Sequence, residues 1–193
     1  IGDWSSDVCS SDLMNNELVE LDTLFRSKKF DEVVSQSKKL IQRGNFTPFI
    51  FNLRGISLEN LGKNEKAFKN FEDAIKKNSK EVSYYSNAAR ILIKIGRINK
   101  AENYLNSALK IKKDHIFSLF EFGKLKRIQK KFDQALKYFK KVYELDPKFP
   151  DALFNIGRSY IELFQETGNT KYEELSKKNL LECRDRKSTR LNS

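Results

Sequence analysis

From Met14 to about Arg184, apolar residues recur three and four positions apart with polar residues between them, which predicts a run of amphipathic helices and no strand. The smallest residues are the most regular. One column reads Gly55, Ala89, Gly123 and Gly157, and twelve residues after its first three members come Ala67, Ala101 and Ala135. Four further on stand Phe71, Leu105 and Phe139, and three beyond those Ala74, Ala108 and Val142. Phe51, Tyr85, Leu119 and Leu153 precede the first column by four, and within every column the members lie 34 residues apart. Two helix axes can approach closely only across a small side chain, and a bulky residue one turn away fills the space beside it. A fixed period of this length therefore predicts a stack of two-helix units.

Five units are expected, near 14–47, 48–81, 82–115, 116–149 and 150–184. In the first, Leu21, Val33 and Ser37 occupy the glycine, alanine and aromatic columns, as in an atypical end unit. The fifth opens with Leu153, Gly157 and Tyr160, then carries six or seven extra residues around Phe164 to Thr170, so that either Leu175 or Ser176 takes the small-residue column. Gly62 and Gly96 fall where first helices must stop, glycine being the usual residue at a left-handed helix end. Asp146-Pro147 closes a second helix, because proline disfavours helix in the residue before it.

The columns and their period resemble the tetratricopeptide repeat. The resemblance implies an all-α, right-handed α-solenoid of antiparallel helix pairs whose first helices line a concave groove. It nominates Asn52, Asn87, Arg90, Lys94, Phe117, Phe120, Lys124, Arg127, Phe154, Asn155 and Arg158 as groove residues. Asp22, Glu59, Asp151 and Glu162 are expected mainly toward the groove's two ends. Guanidinium groups among apolar rings suit an extended, acidic peptide segment with one or two hydrophobic anchors. Two devices of the family fit only in part. The chaperone-tail carboxylate clamp finds Asn87 in one place and Arg90 near another, without the remainder. The asparagine ladder of protein O-GlcNAc transferases, two residues before the glycine column, finds Asn87 and Asn155 but meets Leu53 and Glu121 elsewhere.

Both ends break the pattern. Asp3 to Leu13 and Asp185 to Ser193 read as translations of one short-read sequencing adaptor on its two strands, so 1–13 and 185–193 are expected to be foreign, the first of them disordered. On that reading Met14 is the start and the other end is where a DNA fragment stopped. Self-association through an exposed end face is then possible.

The formal net charge is +11; setting both ends aside removes four acids and three bases and leaves +12. Lysine outnumbers arginine about three to one, alongside much Asn, Ile and Phe, a mixture that an A+T-rich genome writes whatever the ligand. Many lysines also fall on second helices and turns, as Lys76-Lys77, Lys112-Lys113 and Lys140-Lys141 do, so nucleic acid is disfavoured as partner. No apolar run approaches a membrane span, and the segment beginning Met14-Asn-Asn-Glu has neither the basic start nor the apolar core of a signal peptide, so a cytoplasmic location is expected. The one histidine, His115, sits at a turn, and Cys183 is the one cysteine outside the ends, which leaves no His/Cys metal cluster. Glu173-Glu174 reads as a wetted helix face, and Asn45-Phe46-Thr47 as a sequon in spelling only. No catalysis and no cofactor are expected. The expected function is a non-catalytic protein-interaction scaffold. Its rivals are the substrate-recruiting arm of a larger bacterial glycosyltransferase or sulfotransferase, and an RNA-binding solenoid.

Overall fold

A computed structural model describes residues 10–149 and 151–191, with side chains within 16–149 and 151–186. Among the described residues there are ten α-helices and no strand: α1 (Ser10–Arg26), α2 (Phe30–Gln42), α3 (Pro48–Asn60), α4 (Asn64–Lys77), α5 (Val82–Lys94), α6 (Ile98–Ile111), α7 (Ile116–Ile128), α8 (Phe132–Leu145), α9 (Ala152–Thr167) and α10 (Thr170–Leu191). This is an all-α helical repeat. The helices fall into two compact units divided between Ile95 and Gly96. In the first, α1 packs on α2, α3 on α4 and α4 on α5; in the second, α6 packs on α7, α7 on α8, α8 on α9 and α9 on α10.

The columns do what their sizes imply. Ala67, Ala101, Ala135, Ala74, Ala108 and Val142 are all fully buried. A Cβ added at Gly55 would stand 2.6 Å from the Phe71 ring, and one at Gly123 would stand 2.5 Å from the Phe139 ring. At Gly157 the same position is filled by Leu180, at 2.7 Å. Leu180 therefore takes the aromatic column of the fifth repeat, and buried Ser176, four residues earlier, takes the alanine column. The first repeat inverts the sizes: fully buried Leu21 stands where the others have glycine or alanine, and fully buried Ser37 where they have a bulky side chain.

The turn inside each repeat needs one left-handed residue. Gly62 and Gly96 supply it with φ +73° and +77°, and at the same point of the repeat Lys28 and Lys130 adopt φ +58° and +56°. The link between repeats is shaped by side chains. The Asn78 and Asp146 carboxamide and carboxylate accept from the amides of Lys80 and Lys148, and each residue has an extended backbone that stops the preceding helix. Glu81 caps α5 by accepting from the Ser83 amide, and His115 caps α7 by accepting at Nδ1 from the Ser118 amide.

Of the segments expected to be foreign, residues 1–9 lie outside the described ones, while α1 takes in Ser10 to Leu13 and α10 runs to Leu191. Arg186, in the trailing segment, donates to the Pro147 carbonyl and to the Tyr143 hydroxyl, both at 2.7 Å.

Candidate interaction surface

Seven of the nominated residues, Asn52, Asn87, Arg90, Lys94, Arg127, Asn155 and Arg158, fall into two clusters, one in each compact unit. In the first unit they lie on α3 and α5. Asn87 Nδ2 donates to Asn52 Oδ1 at 3.0 Å, and Arg90 Nη2 donates to Glu59 Oε2 at 2.6 Å and to Asn87 Oδ1 at 3.3 Å. Lys94 Nζ stands 3.7 Å from Glu59 Oε1. The Glu59 side chain is 12% exposed and that of Lys94 52%. One sheltered carboxylate thus stands between two cations, and the more solvated of these is the lysine. Because α5 follows α3 by one repeat, residues 31 and 35 positions apart meet here.

In the second unit the cluster lies on α7 and α9. Arg127 Nη1 donates to Asn155 Oδ1 at 2.7 Å, and the Asn155 amide donates to the Asp151 carbonyl at 2.8 Å. Glu162 Oε1 lies 3.8 Å from Arg127 Nε and 3.5 Å from Arg158 Nε. Again two cations share one carboxylate. Burial pushes the Glu162 carboxyl up from its ordinary value even though Arg127 and Arg158 pull the other way, and its Oε2 atom is buried with no hydrogen bond. Burial, helped by the neighbouring Arg158 charge, holds Arg127 below the usual arginine value. Arg158 keeps half its side chain in solvent. It lines a concavity of about 380 Å³ with Phe154, Ile161, Glu162, Gln165 and Leu180.

The aromatic residues divide. Phe117 and Phe154 are 61% and 42% exposed. Phe120 packs into the second unit instead, its ring centroid 5.0 Å from Phe149 and 5.6 Å from Phe139. Lys124 pairs with the buried Glu121 carboxylate at 2.8 Å and stands 5.8 Å from the Phe120 centroid, so its charge is met inside the same helix. Both asparagines that match the ladder spacing, Asn87 and Asn155, have their amides engaged within the protein.

Sequence reasoning placed Glu59 and Glu162 among the groove's acids but not as the partners of its arginines. The 31-residue offset from Glu59 to Arg90 carries that signal, since it joins one exposed turn to the next repeat's. It also passed over a half-buried network. Lys126 stands in the column that holds Leu58, Leu92 and Tyr160, yet its ammonium donates to Glu102 Oε1 at 2.6 Å, while Gln129 Nε2 donates to Glu102 Oε2 at 3.0 Å. The Lys126 and Gln129 hydrogen bonds hold the Glu102 carboxyl below the usual carboxylate range. A charged residue breaking an apolar column was the available clue.

Among the described residues no group of three or more His, Cys, Asp or Glu side chains could hold a metal ion, and no helix is long and apolar enough to cross a membrane.

A sequence model of the tetratricopeptide repeat matches residues 82–115 and 118–149. Over 106 residues the chain is 30% identical to the mouse BBSome complex member BBS4, a match that covers 55% of this chain and 20% of that protein, so the chain spans about a fifth of that relative's length. Among solved structures, MamA superposes with a TM-score of 0.74 at 16% identity, over 88% of this chain and 96% of its own. YrrB, described as a tetratricopeptide-repeat protein with an unusual peptide-binding site, gives 0.67 at 18% identity over 84% of both chains. At these identities the superpositions establish the shared fold.

Proposed function

We propose that this tetratricopeptide-repeat chain is a non-catalytic scaffold that binds an extended, acidic peptide segment on the exposed turns of its first helices. The observation that carries this reading is the α9 surface, where half-exposed Phe154 and Arg158 border one concavity. An apolar anchor and a carboxylate, adjacent on one peptide, meet complementary groups there. Acidity follows from the balance in each cluster. Arg90 and Lys94 face Glu59, and Arg127 and Arg158 face Glu162, so each cluster keeps a surplus positive charge. The surplus sits on the solvated members, Lys94 and Arg158. Such exposed pairs contribute about 0.2–1 kcal/mol each, so the affinity is modest and apolar anchoring supplies most of it. YrrB, which shares the fold, is described as binding peptide, in keeping with this reading.

The test is a panel of fluorescein-labelled decapeptides sharing one central leucine-phenylalanine pair and carrying glutamate, serine or lysine at the flanking positions. Anisotropy titrations at physiological salt should give a micromolar Kd for the glutamate peptide and at least tenfold weaker binding of the lysine one. Equal binding of all three excludes the acidic preference, and tight binding of an RNA oligonucleotide with a steep salt dependence favours a nucleic-acid surface instead.

A further inference from the structure

The second unit carries another surface, which shares no residue with the cluster on α7 and α9. The end of α6, the start of α7 and the middle of α8 border an open cleft of about 590 Å³. Leu109, Leu119 and Tyr138 give it an apolar lining, and Leu119 is 5% exposed. The Tyr138 ring is stacked on that of Phe122, with centroids 4.9 Å apart and planes 5° from parallel, which fixes it in place. Around this lining stand Lys113, Lys137 and Lys141, all exposed, with Gln134 and one acid, Asp114. Asp114 lies 3.7 Å from Lys141 and is the one acid beside three lysines in this lining.

One repeat later the chain closes the corresponding place itself. Tyr143 stands where Leu109 does, and its hydroxyl donates to Glu182 on α10 at 3.1 Å. Leucine in place of tyrosine leaves the α6–α8 cleft unfilled. Exposed lysines alone would be an ordinary solvated face. Here they ring an apolar recess whose volume of about 590 Å³ has room for a large side chain.

We propose that the cleft between α6 and α8 is a second docking site, taking a segment of a partner protein that inserts one aromatic or large aliphatic side chain between carboxylates. The anchor lies on Leu109 and Tyr138, and the flanking carboxylates meet Lys113 and Lys137. The same surplus of ammonium groups repels a basic segment, so the site selects by charge as well as by shape.

The probe is the peptide Asp-Glu-Leu-Trp-Glu-Asp, titrated into the full chain carrying Lys94→Glu and Arg158→Glu, so that the first-helix surface is suppressed and the two readings fail separately. The readout is the methyl signals of Leu109 and Leu119. They should move and saturate. The movement should weaken at least tenfold when Lys113→Glu and Lys137→Glu are added, both at exposed sites and with circular dichroism as the folding control, and when the peptide's tryptophan becomes alanine. Methyl signals that stay still, or that move equally with a peptide carrying lysine in place of every acid, overturn the proposal.

Discussion

At the level of single residues, the fold rests on matched volumes. An alanine at 123 gains about 1 kcal/mol in helix propensity over glycine, but its methyl group meets the Phe139 ring at 2.5 Å, and that ring is fully buried. Overpacking of this kind costs about 1–3 kcal/mol, so Gly123→Ala is expected to lower the thermal midpoint. A midpoint equal to or above that of the unchanged chain would contradict the packing. The left-handed turn residue gives the opposite sign. Lys130 holds φ +56°, a conformation that costs a side-chain-bearing residue about 1–2 kcal/mol, part of which glycine's greater unfolded-state freedom offsets. Lys130→Gly should therefore stabilise by up to about 1 kcal/mol, measured by denaturant unfolding. The small and bulky columns were legible because each constrains side-chain size directly. Lys28 and Lys130 were not, because a lysine in a glycine place carries no sign of the backbone it adopts.

Between elements, the least legible feature is the buried contact of α6 with α7. Periodicity assigns residue 126 to an apolar column, and only coordinates reveal that Glu102 and Gln129 meet a lysine there. The Lys126 side chain is 9% exposed and that of Glu102 31%, so removing the lysine leaves a carboxylate that water still reaches, at a cost below the about 3–5 kcal/mol of a fully buried pair. Lys126→Ala and Lys126→Met both lose the ion pair, but alanine also leaves the apolar column unfilled, so Lys126→Ala should destabilise the second unit more than Lys126→Met, as read by circular dichroism melting. The pair also sets a pH dependence. The folded state depresses the Glu102 carboxyl, so its stabilisation is full above the ordinary carboxylate value and is lost as pH falls through the lower folded one. Glu162 has the opposite sign: its raised carboxyl is a burden when ionised, and that burden is relieved as pH falls. Glu102→Gln should flatten the acid-side loss of stability. An acid limb as steep as in the unchanged chain would show that Glu102 does not contribute to it.

For the molecule as a whole, repeats bury their apolar faces against neighbours, so stability is close to a sum of local interfaces and the two compact units need not melt together. The sequence displayed this architecture because three consecutive copies of one pattern, flanked by two partial ones, reinforce each other. It displayed the interaction surface less well. Arg90, Lys94, Arg127 and Arg158 can be read from the chain as charged positions of first helices, but the carboxylates that hold them come from other turns, and charge along a chain does not say which pairs form. The net charge of +11 exaggerates what those two clusters offer a ligand, since each leaves only its surplus cation in solvent. The most direct measurement is the Kd of the glutamate-flanked decapeptide for the chain carrying Lys113→Glu and Lys137→Glu, which silences the α6–α8 cleft, and for the same chain with Lys94→Glu and Arg158→Glu added, with circular dichroism as the folding control. A loss of at least tenfold with the helices intact is predicted; an unaltered Kd contradicts the account.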